Sequence, residues 1–433
     1  MGAKGKNNKS GNLRDRFDHP EDYLYSLKRV GVKLGLDKIE DFLSRFGNPH
    51  ENFDAIVVGG TNGKGSVSRT ITNVLNEGGY KTGLFTSPHL VEFEERIKID
   101  GENISEEELW DLIEVVQPEV ERIEDEDPEM RPSFFEVLAT LAFLSFSKHD
   151  IDFAVLEVGM GGRLDATNVA PHDFSVVTYV GYDHAEHLGD TKKKRAYEKA
   201  GIIQEGNHFV TGEKSESIRG FFREICEKRN ADFNYAFDRE YEVLHDPLRI
   251  RTDQYGTIDV QGSTLWQAEN ALISLELAEC LKRNGYDISE DDIVKGIEKT
   301  DLPGKMEFIS DKPRAMIDSA HNKTGFKALV SGLKDLEYSR LLLVAGMLED
   351  KDYESLVNVL GPECDHVFTA EPESERKLDS SVLAESFERY CPAEDHHHGI
   401  DAYRRAEEEW REGDLIVITG SMYLLGDILK ELR

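Results

Sequence analysis

The run Gly59-Gly60-Thr61-Asn62-Gly63-Lys64-Gly65-Ser66 directly follows the apolar stretch Ala55-Ile56-Val57-Val58. A glycine-rich turn between a strand and a helix lets successive backbone N–H groups converge on an anion. The helix expected over Ser66 to Asn76 would aim its positive N-terminus at the same point. Lys64 adds a point charge for the outer phosphates. The general phosphate-loop pattern G-x-x-x-x-G-K-[ST] asks for glycine where this chain has Val58, and for a hydroxyl residue where it has Gly65. The bland alternative is a glycine-rich turn with no ligand; a lysine inside the turn favours nucleotide phosphate.

Other chemistry-bearing residues lie at the carboxyl ends of expected strands, where open parallel sheets place their ligands. In Leu156-Glu157-Val158-Gly159-Met160-Gly161-Gly162-Arg163-Leu164-Asp165, Glu157 ends a strand that otherwise reads as buried. An ionised carboxylate there needs a cation or a donor. Magnesium would serve, and so would a structural salt bridge with Arg163. Tyr182-Asp183-His184 follows the next expected strand, so His184 is either a core histidine or a group reaching the same crevice. Lys199, in Tyr197-Glu198-Lys199-Ala200-Gly201-Ile202, reads as a surface lysine on local pattern. Further candidates are Thr86-Ser87-Pro88-His89 in a short loop, Asn270 on a helix, and Asp318-Ser319-Ala320-His321-Asn322. No G-x-S-x-G elbow accompanies the histidines, which argues against nucleophilic hydrolysis.

Positioning these residues requires an alternation of short β-rich runs and helices, the pattern of a mostly parallel sheet with crossover helices. Strands are expected at Asp54 to Val58, Phe153 to Val158, Phe174 to Val180 and His208 to Thr211. Glu240 to Gly262 reads as short strands and turns, and Gln267 to Arg283 and Asp291 to Glu298 as helices. Earlier helices are expected from Glu21 and from Leu36 to Phe46, the second ended by Gly47-Asn48-Pro49. The turn-forming stretch Thr300-Asp301-Leu302-Pro303-Gly304 marks a boundary. The rhythm then restarts with strands at Ala315 to Asp318, Leu341 to Ala345, His366 to Thr369 and Leu415 to Thr419. The expected division is a disordered basic tail over residues 1–18, a nucleotide-binding domain over 19–299 and a second α/β domain over 300–433. His396-His397-His398 resembles a metal tract but reads as an exposed loop.

The chain has 433 residues, 85 acidic against 52 basic, for a net charge of −33. So negative a surface repels nucleic acid and anionic lipid, and an anionic substrate must meet a local basic pocket. The acidity fits a salt-rich cytosol or simply an acidic enzyme. Cys226, Cys280, Cys364 and Cys391 show no metal or disulfide spacing. No apolar run of about 18 residues exists and the N-terminus is polar and basic, so a cytoplasmic protein is expected.

Together these blocks resemble the folylpolyglutamate synthase and dihydrofolate synthase family of Mur-type ATP-dependent amide ligases. The resemblance runs from about Tyr23 to Gly426 and includes Leu34-Gly35-Leu36, Phe46-Gly47-Asn48-Pro49, Thr86-Ser87-Pro88-His89-Leu90, Glu157 through Asn168, Glu198 through Ile202 and Gly420-Ser421-Met422-Tyr423. It implies an ATP-binding domain joined to a smaller Rossmann-like domain, and an acyl-phosphate route that adds L-glutamate to a folate or dihydropteroate carboxylate, with Mg2+ required. Gly60, Thr61, Asn62, Gly63, Lys64, Gly65 and Ser66 would cradle phosphate. By the same resemblance Ser87, Glu157 and His184 are metal ligands, and Lys199 is carbamylated to help hold a second ion. Asn270, Lys305 and Asp318 would contact ATP, and His321 would lie near the incoming amino acid. Lys305 stands where the family usually has arginine, and Lys323 where it commonly has proline. A monomer is expected. Another Mur-type ligase, or a nucleotide-binding module without ligase activity, is the alternative; the short segment before the cradle favours folate over a nucleotide-sugar substrate.

Overall fold

The computed structural model describes residues 13–27, 35–182, 188–245 and 247–432. Its first sheet is built from β1 (Asp54–Gly59), β2 (Thr82–Phe85), β3 (Ile97–Ile99), β4 (Glu102–Asn103), β5 (Phe153–Glu157), β6 (Phe174–Val177), β7 (His208–Thr211) and β8 (Asp232–Tyr235). The order across the sheet is β4-β3-β2-β5-β1-β6-β7-β8. From β2 to β8 every pairing is parallel; the antiparallel pairings are those of β3, with β2 and with the edge strand β4.

The central strand is apolar on both faces because both are covered. Ala55 and Val57 pack with the helices Glu106–Glu126 and Phe134–Lys148, while Ile56 and Val58 pack with the helices Lys64–Glu77 and Leu265–Arg283. Alternation of successive side chains across the strand produces this split. The helix Phe134–Lys148 is apolar nearly all round and starts at a capping box between Ser133 and Glu136, as a fully covered helix should. Neither it nor Glu106–Glu126 was among the elements singled out from sequence.

A three-stranded antiparallel meander, β9 (Tyr241–Leu244), β10 (Arg249–Thr252) and β11 (Gly256–Asp259), follows. The second sheet comprises β12 (Glu307–Asp311), β13 (Arg314–Asp318), β14 (Leu341–Ala345), β15 (His366–Thr369), β16 (Ala393–Asp395) and β17 (Leu415–Thr419), in the order β12-β13-β17-β14-β15-β16. It is parallel except for the edge strand β12. Among the described residues no helix is long and apolar enough to cross a membrane.

One expectation fails locally. Composition groups residues 13–18 with a disordered tail, yet Leu13–Asp15 forms a 3-10 turn with Leu13 buried. Arg14 reaches Glu107, Asp111 and Glu114 on one face of the helix Glu106–Glu126, at 2.8, 3.1 and 2.8 Å. An acidic helix face attracts a basic tail that composition alone leaves without a partner.

The two sheets are joined by more than their linker. Leu90 and Val91, from the loop after β2, sit in the apolar cluster of the second sheet with Ile317, Leu342, Leu424 and Ile428.

Candidate active site

The cradle begins where β1 ends at Gly59 and finishes as the helix starts at Lys64. Gly60 and Gly63 take φ of +142° and +82°, and each is also hemmed in. A Cβ on Gly60 would lie 1.9 Å from Thr178 Oγ1, and one on Gly63 would lie 2.4 Å from Asn270 Oδ1. Thr178 Oγ1 donates to the Asn62 carbonyl at 2.7 Å, Thr61 N to the Tyr179 carbonyl at 3.0 Å, and Gly181 N to Thr61 Oγ1 at 2.8 Å. The turn is therefore clamped by the segment following β6. Gly63 caps the helix without a side-chain hydrogen bond, leaving the first helical N–H groups for an anion. Lys64 Nζ reaches back to the Thr61 carbonyl at 3.4 Å.

The register Val58↔Glu157 puts Glu157 at the carboxyl end of β5 beside the cradle. Its carboxylate is 6% exposed and accepts from Ser87 N at 3.1 Å. Burial raises its pKa above the ordinary glutamate value, opposed by Lys64, the Ser87 N–H, Arg69 and Lys305 in that order. The anticipated alternative, a salt bridge with Arg163, does not form: Arg163 pairs with Glu198 at 3.0 Å. A Cβ on Gly65 would stand 3.5 Å from Glu157 Oε2, so the missing side chain keeps the space beside this carboxylate open. Nearby, Asp165 is fully enclosed and accepts from Met160 N, Thr167 N and Thr167 Oγ1, which fixes the glycine-rich turn after Glu157.

Lys199 departs from its local reading. It is 4% exposed and donates to the Gly60 carbonyl at 2.8 Å, lying under the cradle. His184 lies outside the described residues. On either side of its segment, Arg195 Nε donates to the Gly181 carbonyl at 2.7 Å and Nη1 to the Gly189 carbonyl at 3.0 Å.

From the second sheet, Asp318 ends β13 with its carboxylate buried, accepting from Met306 N at 3.1 Å and Ala320 N at 2.9 Å. Burial raises its pKa, and Lys305 is the main opposing charge. His321 Nδ1 lies 3.0 Å from the Ser319 carbonyl, which as an acceptor only places a proton on Nδ1. A cleft open to solvent runs between the sheets past Asn62, Ser66, Asn270, Lys305, Asp318 and His321. Across its floor, Asn62 and Asn322 exchange side-chain amide hydrogen bonds at 3.3 and 3.0 Å.

The chain matches the Mur ligase middle domain over residues 58–277 and the Mur ligase glutamate ligase domain over 304–422. It is 32% identical over 430 residues to the dihydrofolate synthase/folylpolyglutamate synthase of Bacillus subtilis strain 168, covering 96% of this chain and 99% of that protein. The chain belongs to the folylpolyglutamate synthase/dihydrofolate synthase family of Mur ligases. Among solved members, Escherichia coli FolC in complex with DHPP and ADP superposes with a TM-score of 0.84 at 27% identity, covering 96% of this chain and 97% of that one. A bifunctional folylpolyglutamate synthase/dihydrofolate synthase with Mn, AMPPNP and L-glutamate bound gives a TM-score of 0.82 at 25% identity, covering 96% and 98%.

Within this Mur ligase, the structure gathers Asn62, Gly63, Ser66, Asn270, Lys305, Asp318 and His321 around one cleft. Gly60, Thr61, Lys64 and Gly65 belong to the same turn, with Ser87 bonded to Glu157, Glu157 beside Gly65, and Lys199 bonded to Gly60. Sequence reading missed the Asn62–Asn322 pair, whose members stand 260 positions apart. It also missed Arg96, fully buried beneath Phe93 and donating to His89 Nδ1 at 2.9 Å. No local signal marks either. The cysteines stay out of the chemistry: burial pushes Cys226 and Cys280 up to about 12, so neither supplies a thiolate. Among the described residues, the side chains spaced to hold a metal are His366, Glu394 and Glu409, at the far edge of the second sheet. Their carboxylates are already bound by Arg405 and Arg340, so this is an ion-pair network. His397 is solvent-facing, in keeping with the loop reading of the His-His-His run.

Proposed function

We propose that this chain attaches L-glutamate to the carboxylate of a folate or dihydropteroate at the expense of ATP, releasing ADP and phosphate. A substrate carboxylate oxygen attacks the γ-phosphorus and ADP leaves, giving an acyl phosphate. The glutamate amine then attacks the acyl carbon, the amide bond forms and phosphate departs. The observation that carries this reading is a glycine-lysine cradle and two buried carboxylates, Glu157 and Asp318, at the carboxyl ends of two parallel sheets bordering one cleft.

In this scheme the cradle N–H groups and Lys64 hold the phosphates, and Asn270, Lys305 and Asp318 hold the rest of the nucleotide. His321, held by the Ser319 carbonyl at Nδ1 and lining the cleft, lies near the incoming amino acid. Lys305 supplies a point charge rather than the planar fork of arginine. Glu157 fits a divalent cation: its carboxylate is enclosed, has a backbone donor on one oxygen, and lies next to the open space at Gly65. Ser87, Glu157 and His184 are the residues that would hold Mg2+, and a carbamylated Lys199 would help hold a second ion. When bound, the metal supplies positive charge against the triphosphate. Residues 19–299 act as the nucleotide domain and 300–433 as the glutamate domain, with Thr300 to Gly304 as the hinge. Closure about it excludes water from the acyl phosphate. In this reading the chain works as a cytoplasmic monomer.

The test is ATP-dependent phosphate release with glutamate and, in parallel, dihydropteroate or tetrahydrofolate, with mass detection of the product. A product heavier by one glutamyl residue is expected. ATP hydrolysis indifferent to both pterin and glutamate would remove the ligase reading.

A further inference from the structure

We propose that the loop Thr86–Val91 carries the position of the second sheet to Ser87 at the metal-holding side of the cradle, with Gly426 as the positioning residue that sets its reach. This rests on the assignment of Ser87 and Glu157 to metal binding. The loop leaves the first sheet after β2, but Leu90 and Val91 are buried, 8% and 3% exposed, in the apolar cluster of the second sheet. At its other end Ser87 N donates to Glu157 Oε2 at 3.1 Å. One short segment thus has one end in each half of the molecule.

The segment is built to be stiff. The Glu95 carboxylate gathers three successive backbone donors, Leu90 N at 2.8 Å, Val91 N at 2.9 Å and Glu92 N at 2.8 Å. Thr86 N donates to the Arg96 carbonyl at 3.0 Å, and Arg96 Nε donates to His89 Nδ1 at 2.9 Å. These hydrogen bonds tie the loop to the Phe93–Arg96 turn, and in the proposed coupling the loop and that turn shift together. Displacement at Leu90 therefore arrives at Ser87.

Gly426 is where the second sheet's layer touches this lever. It lies within the helix Met422–Leu432, and a Cβ there would stand 2.2 Å from the Leu90 carbonyl oxygen. Helix propensity favours alanine over glycine inside a helix, so the small residue is explained by the contact and not by the helix. With alanine at 426, Leu90 O must retreat from 2.2 Å to beyond 3.0 Å, since its own backbone atom is the obstacle.

Gly426→Ala in the full chain tests this, with Mn2+ binding in the presence of ADP followed by electron paramagnetic resonance and metal-free ADP binding followed by calorimetry. A misplacement near 1 Å in a pre-organised site costs about 10- to 100-fold. Mn2+ affinity and kcat are expected to fall within that range while metal-free ADP binding stays at the wild-type level. Leu90→Ala, which removes the anchor without adding bulk, should weaken Mn2+ binding in the same direction and decides the matter if the alanine at 426 prevents folding. Wild-type Mn2+ affinity in whichever of the two folds overturns the coupling. Ser87→Ala is measured alongside: if it binds Mn2+ normally, the metal assignment itself falls and takes the coupling with it. If it binds Mn2+ weakly while Gly426→Ala binds normally, only the coupling falls.

Discussion

Replacing Glu157 by glutamine should move metal-free stability and metal binding in opposite directions. The carboxylate is 6% exposed, and burial raises its pKa despite Lys64, the Ser87 N–H, Arg69 and Lys305. A carboxyl whose folded pKa is raised holds more protons folded than unfolded. The folded state therefore loses stability as pH rises from the unfolded value, near 4.5, through the folded one. Above that window the metal-free wild-type chain bears the whole penalty of an enclosed charge. Glutamine keeps the shape and stays neutral, so it bears none of it. An under-partnered buried group costs on the order of 1–3 kcal/mol, and each unit of pKa displacement is worth about 1.4 kcal/mol. In urea unfolding at neutral pH with EDTA, Glu157→Gln should be more stable than wild type by an amount in that range, and the difference should vanish as pH falls toward 4.5. With Mn2+ and ADP the order should reverse. A ligand that binds only the folded chain adds about 2.7 kcal/mol at 100 times its Kd, and the variant forfeits the metal-dependent share. A variant less stable than wild type in EDTA at neutral pH would refute the reasoning, because the carboxylate would then be fully partnered without a cation.

Lys64→Ala removes the positive charge inside the cradle and should lower glutamate-dependent phosphate release by about 10²–10³-fold, the scale of losing one pre-organised electrostatic group; near-normal turnover would defeat its role. Lys199→Ala should be inactive and partly restored by formate or acetate, small carboxylates that stand in for the carbamate; full activity with no additive would end the carbamate assignment. Asn62→Ala, Asn322→Ala and the double variant form a cycle in kcat/KM for glutamate, with a coupling of about 0.5–3 kcal/mol expected for side chains in direct hydrogen bonding. Additive losses would show that the pair does not link the cradle to the second domain.

Most of the strands that position the site were legible, because a parallel strand covered on both faces must be apolar throughout, but β2, which leads into the Ser87 loop, was not. Leu341 to Ala345, His366 to Thr369 and Leu415 to Thr419 begin and end where the sequence places them. The edge strands β4 and β16 were not legible, being two and three residues long and partly exposed, with no periodicity to read. Site residues failed or held for a different reason. Arg163 is the nearest basic residue to Glu157 in sequence, yet a turn carries it away to Glu198. Lys199 sits in a run of charged residues that reads as solvated surface, but its burial is set by Gly60, 139 positions earlier. Spacing reports neighbours along an element, whereas both of these outcomes depend on which loops meet at the ends of parallel strands. Periodicity does not carry that information.

The cradle glycines show how a motif can be read correctly for an incomplete reason. The sequence argument gives Gly60 and Gly63 to tight turning and anion approach. In the folded chain each is also pressed against a polar side chain from another element, Thr178 after β6 and Asn270 on the helix Leu265–Arg283. A side chain at either glycine would push away the residue that fixes the turn or the one proposed to meet the nucleotide. The departure from the general phosphate-loop pattern follows the same logic. With a serine or threonine at 65, the hydroxyl would project into the space beside Glu157; glycine leaves that space to whatever cation answers the buried carboxylate. The residue that makes the motif look imperfect is thus the one that leaves room between the cradle and a separate carboxylate, where the proposed cation would sit.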